Sequence, residues 1–306
     1  MYDFKIFQRQ DNLKLRARII DSIRQFFSHN NYLEIETPVR IPAPAPETYI
    51  DAQSAGEWWL QTSPELCMKR LIAAGFPRIF QISRCFRNGE RGDRHLPEFT
   101  LLEWYCAEQD YRYMMKECEQ LIGAVAMDLN AGLSLSYQGQ IVDLTPPWTR
   151  LSVAEAFERF ASIPMATALS EGRFDEVIAE EIEPMLGQGA PLFLYDYPAS
   201  SGALARLKSS DPTVAERFEL YVCGLELCNA FSELTDPVEQ SQRFRAEAEE
   251  RYKAGKPVYN MPEKFLRSLE FMPSATGNAL GVDRLAMLFA DAVCIDDVVA
   301  FTPEEL

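Results

Sequence analysis

Histidine is nearly missing from this chain of 306 residues, with only His29 and His95 present. That removes HExxH zinc sites and makes a serine-type triad hard to build. CxxC spacings are missing as well. The seven cysteines, an odd number, are Cys67, Cys85, Cys106, Cys118, Cys223, Cys228 and Cys294. A chain this long does not need disulfide staples, so these read as reduced thiols. Positive charge is scarce: 30 Lys and Arg stand against 46 Asp and Glu, a net charge of −16. This argues against a general basic surface for nucleic acid or anionic membranes, since phosphate contacts need Lys and Arg to displace counterions. No apolar run approaches the ~18 residues of a membrane span. The N-terminal MYDFKIFQRQDNLKLR has no apolar core of signal-peptide length. The expectation is a soluble, cytoplasmic protein with no membrane partner.

What is present suits a globular protein able to bury a full core: 47% hydrophobic and 25% charged residues. A helical period starts at Asp11, with Leu13, Ala17, Ile20, Ile23 and Phe27 on one face, and ends at His29-Asn30-Asn31. Tyr32 to Glu36 alternates like a strand and stops before Pro38. Three prolines in residues 41–46 make a loop. Ser63-Pro64-Glu65 reads as a helix start, with Ser63 as cap and Pro64 in the first turn, and that helix ends at Gly75. Residues 78–87 and 98–107 read as strands around a polar loop, and residues 111–128 as a helix. Helices are expected near 152–161 and 173–185, a buried strand at 192–195 and a strand pair over 216–233. Asp236-Pro237-Val238-Glu239 predicts a helix with a capping-box glutamate, ending near Gly255. A strand near 276–282 leads into a helix from Asp283. This order predicts an α+β fold, a mostly antiparallel sheet flanked by helices, as one domain over residues 1–306.

Three segments carry chemistry. From Phe86 to Phe99 a strand leads through a loop dense in Arg and Gly into another strand. Arginine forks suit phosphate oxygens and glycines let backbone approach a ligand, although a charged hairpin tip would look similar. From Gly277 to Arg284, small residues in a strand running into a helix imply close approach by a ligand or another backbone. Arg284 in a first helical turn is badly placed for the helix dipole and needs an anionic partner, either a ligand or a salt bridge. From Glu219 to Glu233, acids recur in an apolar, strand-like stretch. Simple alternation puts Glu226, Cys228 and Ala230 on one face and Leu227, Asn229 and Phe231 on the other. Such acids suit a divalent metal or an ammonium group if buried, and a solvated sheet face if not.

Together the segments resemble the catalytic core of class II aminoacyl-tRNA synthetases. Tyr32 to Pro38 looks like motif 1, Phe86 to Phe99 like motif 2, and Gly277 to Arg284 like motif 3. Three stretches are similar to lysyl-tRNA synthetases in particular: Thr62-Ser63-Pro64-Glu65-Leu66, Pro97 to Tyr105, and Asn229 to Leu234. Motif 1 begins near residue 30, so an anticodon-binding OB domain is not expected ahead of it. Stand-alone lysyl cores of this size resemble the EpmA (PoxA, GenX) family, which attaches (R)-β-lysine to a lysine of elongation factor P. Glu103-Trp104-Tyr105 and Ala279 favour that family.

The resemblance implies a ligase that uses ATP and Mg²⁺, a homodimer through the motif 1 region, elongation factor P as acceptor and no tRNA. The substrate would be (R)-β-lysine or lysine. Arg87 and Arg284 would be catalytic. ATP would meet Arg87, Asn88, Gly89, Glu90, His95, Leu96, Phe99, Glu226, Leu227, Gly281 and Arg284, with Phe99 stacking on adenine. Mg²⁺ would fall to Glu219 and Glu226. The amino acid would be held by Ser63, Pro64, Glu65, Glu103, Tyr105, Asn229, Phe231, Glu233 and Ala279, the acids facing its two ammonium groups. The sequence departs from the family at two places. Motif 2 usually reads Arg-x-Glu, but Arg87-Asn88 is followed by Gly89, so either Glu90 replaces the glutamate or that adenine contact is lost. A histidine-asparagine pair is here His95-Leu96. The alternatives are an α-lysine-activating paralogue acting on tRNA or another acceptor, and a non-catalytic amino-acid-binding paralogue.

Overall fold

The computed structural model describes residues 4–306. Residues 1–3, part of the terminus read above for a signal, lie outside the described residues. A nine-stranded sheet organises the chain. Its strands are β1 (Leu33–Glu34), β2 (Arg78–Phe86), β3 (Glu98–Ala107), β4 (Thr149–Ser152), β5 (Leu192–Pro198), β6 (Leu207–Lys208), β7 (Asp211–Val222), β8 (Leu225–Ser232) and β9 (Ala275–Gly281). The order is β1-β2-β3-β9-β8-β7-β5-β4, with β6 alongside β7. Only β1 with β2 and β4 with β5 are parallel; the pairings between them are antiparallel. The α+β expectation is met.

The main helices are α1 (Gln10–His29), α2 (Glu65–Ala73), α3 (Tyr111–Asp128), α4 (Pro237–Lys253) and α5 (Val282–Phe289). Helices α1, α3 and α5 cover one face of the sheet, where Ile19, Ile23, Phe27, Leu102, Trp104, Leu121, Leu220 and Leu285 form the largest core. Helix α2 packs with the short helix Glu263–Ser268 around Met68, Ile72, Phe265 and Leu269. A third core gathers Phe157, Phe174, Ile182 and Tyr221.

Several expectations shift in detail. Motif 1 makes only the two residues of β1, because Ile35 bonds to Phe80 O without continuing a ladder. Helix α1 starts at Gln10, and Arg9 before it is tied to Glu305 at 2.7 Å. Pro64 takes the cap position and α2 begins at Glu65. Ser63 still accepts from the Glu65 amide at 3.0 Å. Asp236 caps α4 by accepting from Val238 and Glu239 amides, but Glu239 reaches Arg243 rather than back to the cap. The helix expected over 173–185 breaks into Phe174–Val177, a π turn at Ile178–Ile182 and a 3₁₀ turn at Glu183–Met185, where Pro184 removes a donor. Two features of 130–152 were not expected. They are β4 and the hairpin Ser134–Tyr137 with Gln140–Asp143, turned by Gln138 and Gly139 at positive φ.

Candidate active site

The cleft of the molecule opens on the sheet face opposite the largest core. Strands β3, β8 and β9 supply its floor, and Glu65 at the start of α2 and the loop after β2 close its sides. Of the sequence-predicted residues, the fold brings sixteen to its lining: Ser63, Glu65, Arg87, Glu90, His95, Leu96, Phe99, Glu103, Tyr105, Glu226, Leu227, Asn229, Phe231, Ala279, Gly281 and Arg284. Pro64, Asn88, Gly89, Glu219 and Glu233 do not line it.

One end is built for anions. Arg284 donates to the Glu226 carbonyl at 2.9 Å and carboxylate at 3.0 Å, and its other nitrogen lies 2.6 Å from His95 Nε2. Burial, then Arg284, keeps the His95 pKa low, so the neutral ring accepts. Burial would raise Glu226, but Arg284 more than offsets it and holds the carboxyl ionised. Arg87 lies 5.0 Å over the Phe99 ring, and its buried Nε has no hydrogen-bond partner. Gly89 at φ +81° turns the loop so that Glu90 faces the cleft, 3.8 Å from Arg87.

The β8 ladder explains Glu226. Leu220 pairs with Cys228 but Tyr221 pairs with Glu226, so Leu227 is the extra residue of a bulge. The bulge shifts the pleat by one residue. Simple alternation therefore fails here: Glu226 shares the cleft with Asn229 and Phe231, while Cys228 and Ala230 enter the core. Glu219 lies deeper. Tyr197 and Tyr221 each donate to its Oε2 at 2.6 Å and Arg217 to Oε1 at 2.6 Å. Arg217 also bonds Asn229 Oδ1 at 3.1 Å.

The other end is built for cations. Glu103 is 1% exposed, accepts from Ser63 at 2.5 Å and Tyr105 at 2.8 Å, and is pushed up to about 8 by burial and then by Glu65. Glu233 is equally buried and also raised to about 8, by burial first, with Lys69 opposing. Lys69 stands 2.5 Å from both Glu65 and Glu233. Lys69 pairs with Glu233 Oε2, while Glu233 Oε1 and Asn278 Oδ1 have no partner. Asn278 turns its amide to the Cys118 and Cys228 sulfurs of the core, so the unpaired acceptor at this end is Glu233 Oε1, beside Gly277 of the cleft lining. Ala279 sits between Glu103 and Asn229 in the ladder. At Gly277 a Cβ would fall 2.3 Å from Tyr105 and 2.6 Å from Glu233, so only glycine keeps this end assembled.

Sequence reasoning missed Glu47, Lys69 and Arg217. Lys69 follows Glu65 at a helical i, i+4 spacing, a signal that was available. Glu47 follows the proline-rich loop, where no pattern points inward.

The cleft thus joins an arginine-bearing end, an aromatic wall and an acidic end. The family model for class II tRNA synthetases (D, K and N) matches residues 2–305, and the chain belongs to that family. It is 41% identical to an elongation factor P–(R)-beta-lysine ligase of Haemophilus influenzae, over 95% of this chain and 94% of that one. It is 39% identical to a lysine–tRNA ligase of Magnetococcus marinus over 94% of this chain, and 37% identical to that of Moorella thermoacetica. The chain spans 63% and 64% of the lengths of these two tRNA ligases.

Proposed function

We propose that the chain activates (R)-β-lysine, or lysine, with ATP and transfers it to a lysine ε-amine of elongation factor P. The observation that carries this is the bipolar cleft, with a cationic end for phosphate and a carboxylate end for two ammonium groups. The likeness to the Haemophilus influenzae ligase over nearly all of that protein's length supports the acceptor. In the first step the substrate carboxylate attacks the α-phosphate of ATP, giving an acyl-adenylate and pyrophosphate. In the second the ε-amine attacks the acyl carbon, giving an amide and AMP. Arg87, with its spare donor, and Arg284 orient and neutralise phosphate; Phe99 packs on adenine; Glu65, Glu103, Tyr105 and Glu233 desolvate and fix the ammonium groups. Asn88, Gly89 and Pro64 shape the loops that carry these groups. Positioning and charge neutralisation supply most of the rate, and no protein nucleophile is needed.

Mg²⁺ fits as an ion carried by the triphosphate. Among the described residues no three His, Cys, Asp or Glu gather to hold a metal. One or two carboxylates with phosphate oxygens suffice for this ion. Glu226 lines the cleft with one oxygen free of Arg284, and Glu219, spent on three donors, braces Asn229 through Arg217. When bound, Mg²⁺ supplies charge neutralisation at the phosphates.

The test is ATP–pyrophosphate exchange with (R)-β-lysine and α-lysine, followed by intact mass of elongation factor P after incubation. Exchange with β-lysine and a gain of one lysyl residue on the factor are expected. Exchange with α-lysine and charging of tRNA, without a gain on the factor, would overturn the proposal in favour of the tRNA ligase reading that the Magnetococcus marinus likeness supports.

A further inference from the structure

Glu47 is a carboxylate of the cleft that the steps above leave without a role. Six acids line the cleft: Glu47, Glu65, Glu90, Glu103, Glu226 and Asp283. Five are committed. Glu65 holds Lys69, Glu90 faces Arg87, Glu103 takes Ser63 and Tyr105, Glu226 holds Arg284, and Asp283 holds Arg16. Glu47 has charged neighbours on every side: Glu65 on α2, Arg87 at the end of β2, Glu247 on α4 and Arg217 on β7, with the Tyr259 phenol nearby. Of the cations among them, Arg217 is spent on Glu219, while Arg87 faces Glu90 at 3.8 Å and keeps its spare donor for phosphate. Its side chain is half-buried, so it meets both the cleft and solvent.

The loop that presents it is held rigidly. Arg251, fully buried, donates to the carbonyls of Glu47 at 2.7 Å and Ile50 at 2.9 Å and to the Asp51 carboxylate at 2.8 Å. Lys256 holds the Thr48 carbonyl at 3.0 Å, and Asn88 N bonds Asp51 O at 2.6 Å, tying the loop to motif 2. A buried arginine thus holds the loop that brings one uncommitted carboxylate to the lining of the cleft, which Glu65 of the amine end and Arg87 of the phosphate end also line. In the adenylate reading the acyl carbon lies between these two ends, inside the cleft that Glu47 lines.

We propose that Glu47 is the general base of the transfer step, taking a proton from the incoming lysine ε-ammonium so that its nitrogen can attack the acyl carbon. This rests on the adenylate-and-transfer reading above. The ε-ammonium loses two protons before the amide stands. Glu47 accepts the first and passes it to solvent. As the C–N bond forms and the acyl C–O bond breaks, the departing phosphate oxygen keeps the electron pair and takes the second. Burial, then Glu65, raises the Glu47 carboxyl to about 7, suited to proton exchange near neutrality.

The experiment compares wild type with Glu47→Gln in two half-reactions. Transfer from preformed adenylate is measured to elongation factor P and to hydroxylamine, which reacts as the free amine near neutrality and needs no base. Loss of a positioned base costs at least about 100-fold in rate. Glu47→Gln should therefore slow transfer to the factor by that factor, replace the plateau above pH 7 with a continuing rise of about ten-fold per pH unit as free amine appears, and leave transfer to hydroxylamine within about three-fold. An equal slowing with both acceptors overturns the base role. So does a rise above about ten-fold in the KM for β-lysine in ATP–pyrophosphate exchange, which makes Glu47 an ammonium ligand. Hydroxylamine capture in the variant reports that it is folded. Wild type that forms adenylate yet never acylates the factor overturns the acceptor reading and this role with it, a result distinct from any defect confined to the variant.

Discussion

Glu103 and Glu233 are acids placed where burial makes ionisation costly, and a ligand ammonium is the natural relief. Their folded pKa of about 8 lies above the ordinary carboxyl value of 4.5. The folded state therefore holds more protons between these limits, and their contribution to stability falls as pH rises through that window. A bound diammonium substrate restores it. Affinity for the amino acid should rise at least about ten-fold from pH 6 to pH 8, since one released proton is worth one decade per pH unit. Calorimetric titration in buffers of different ionisation enthalpy checks this, and uptake of protons on binding would contradict it. Ala279 places one methyl between Glu103 and Asn229 in the floor of the amine end. Ala279→Gly should raise activation of α-lysine relative to β-lysine, as read by pyrophosphate exchange with each isomer; an unchanged ratio would remove Ala279 as the discriminator.

Asp283 shows how elements hold the site together. It is 2% exposed in the first turn of α5, where the dipole favours an acid. It accepts from Arg16 of α1 at 2.8 Å and from the Thr100 amide of β3 at 2.7 Å. One carboxylate joins two helices and the motif 2 strand beneath Arg284. Asp283→Ala leaves Arg16 unpaired and should cost about 3 kcal/mol of stability, by the measure of broken buried pairs. Urea unfolding checks this, and a midpoint shift equal to that of a surface Asp→Ala change would refute it. Strands β2 and β3 were legible because both are rich in β-branched and aromatic residues. The segment 173–185 was read as one helix because periodicity does not report where Pro184 and packing force a change of pitch. Likewise the bulge at Leu227 has no local signature: the residues on both sides suit a strand, and only pairing with β7 assigns the extra one.

For the whole molecule, no helix among the described residues is long and apolar enough to cross a membrane. All seven cysteines are free, and the Cys118 and Cys228 sulfurs approach only to 4.0 Å. The net charge of −16 includes acids inside the cleft, but they are too few to account for the excess, which is a surface property. We further propose that two chains pair through the motif 1 region, where Leu33 is 49% and Val39 38% exposed beside Pro38. Light scattering should then report a particle of two chains, and Leu33→Glu should shift it toward one; a monomer at assay concentrations would refute the pairing.

The sequence by itself determined the chemistry available: three motifs in order, two arginines suited to phosphate, acids suited to ammonium groups, and only two histidines. These are properties of residue types and short spacings, which survive in any reading of the chain. Only the tertiary structure decided which acids act. The bulge turns Glu226 into the cleft, Tyr197, Tyr221 and Arg217 withdraw Glu219, Lys69 is drawn between Glu65 and Glu233, and Arg251 holds the loop that brings Glu47 to the cleft lining. Each of these rests on partners from distant segments brought together by packing, and no local period in the chain records such contacts.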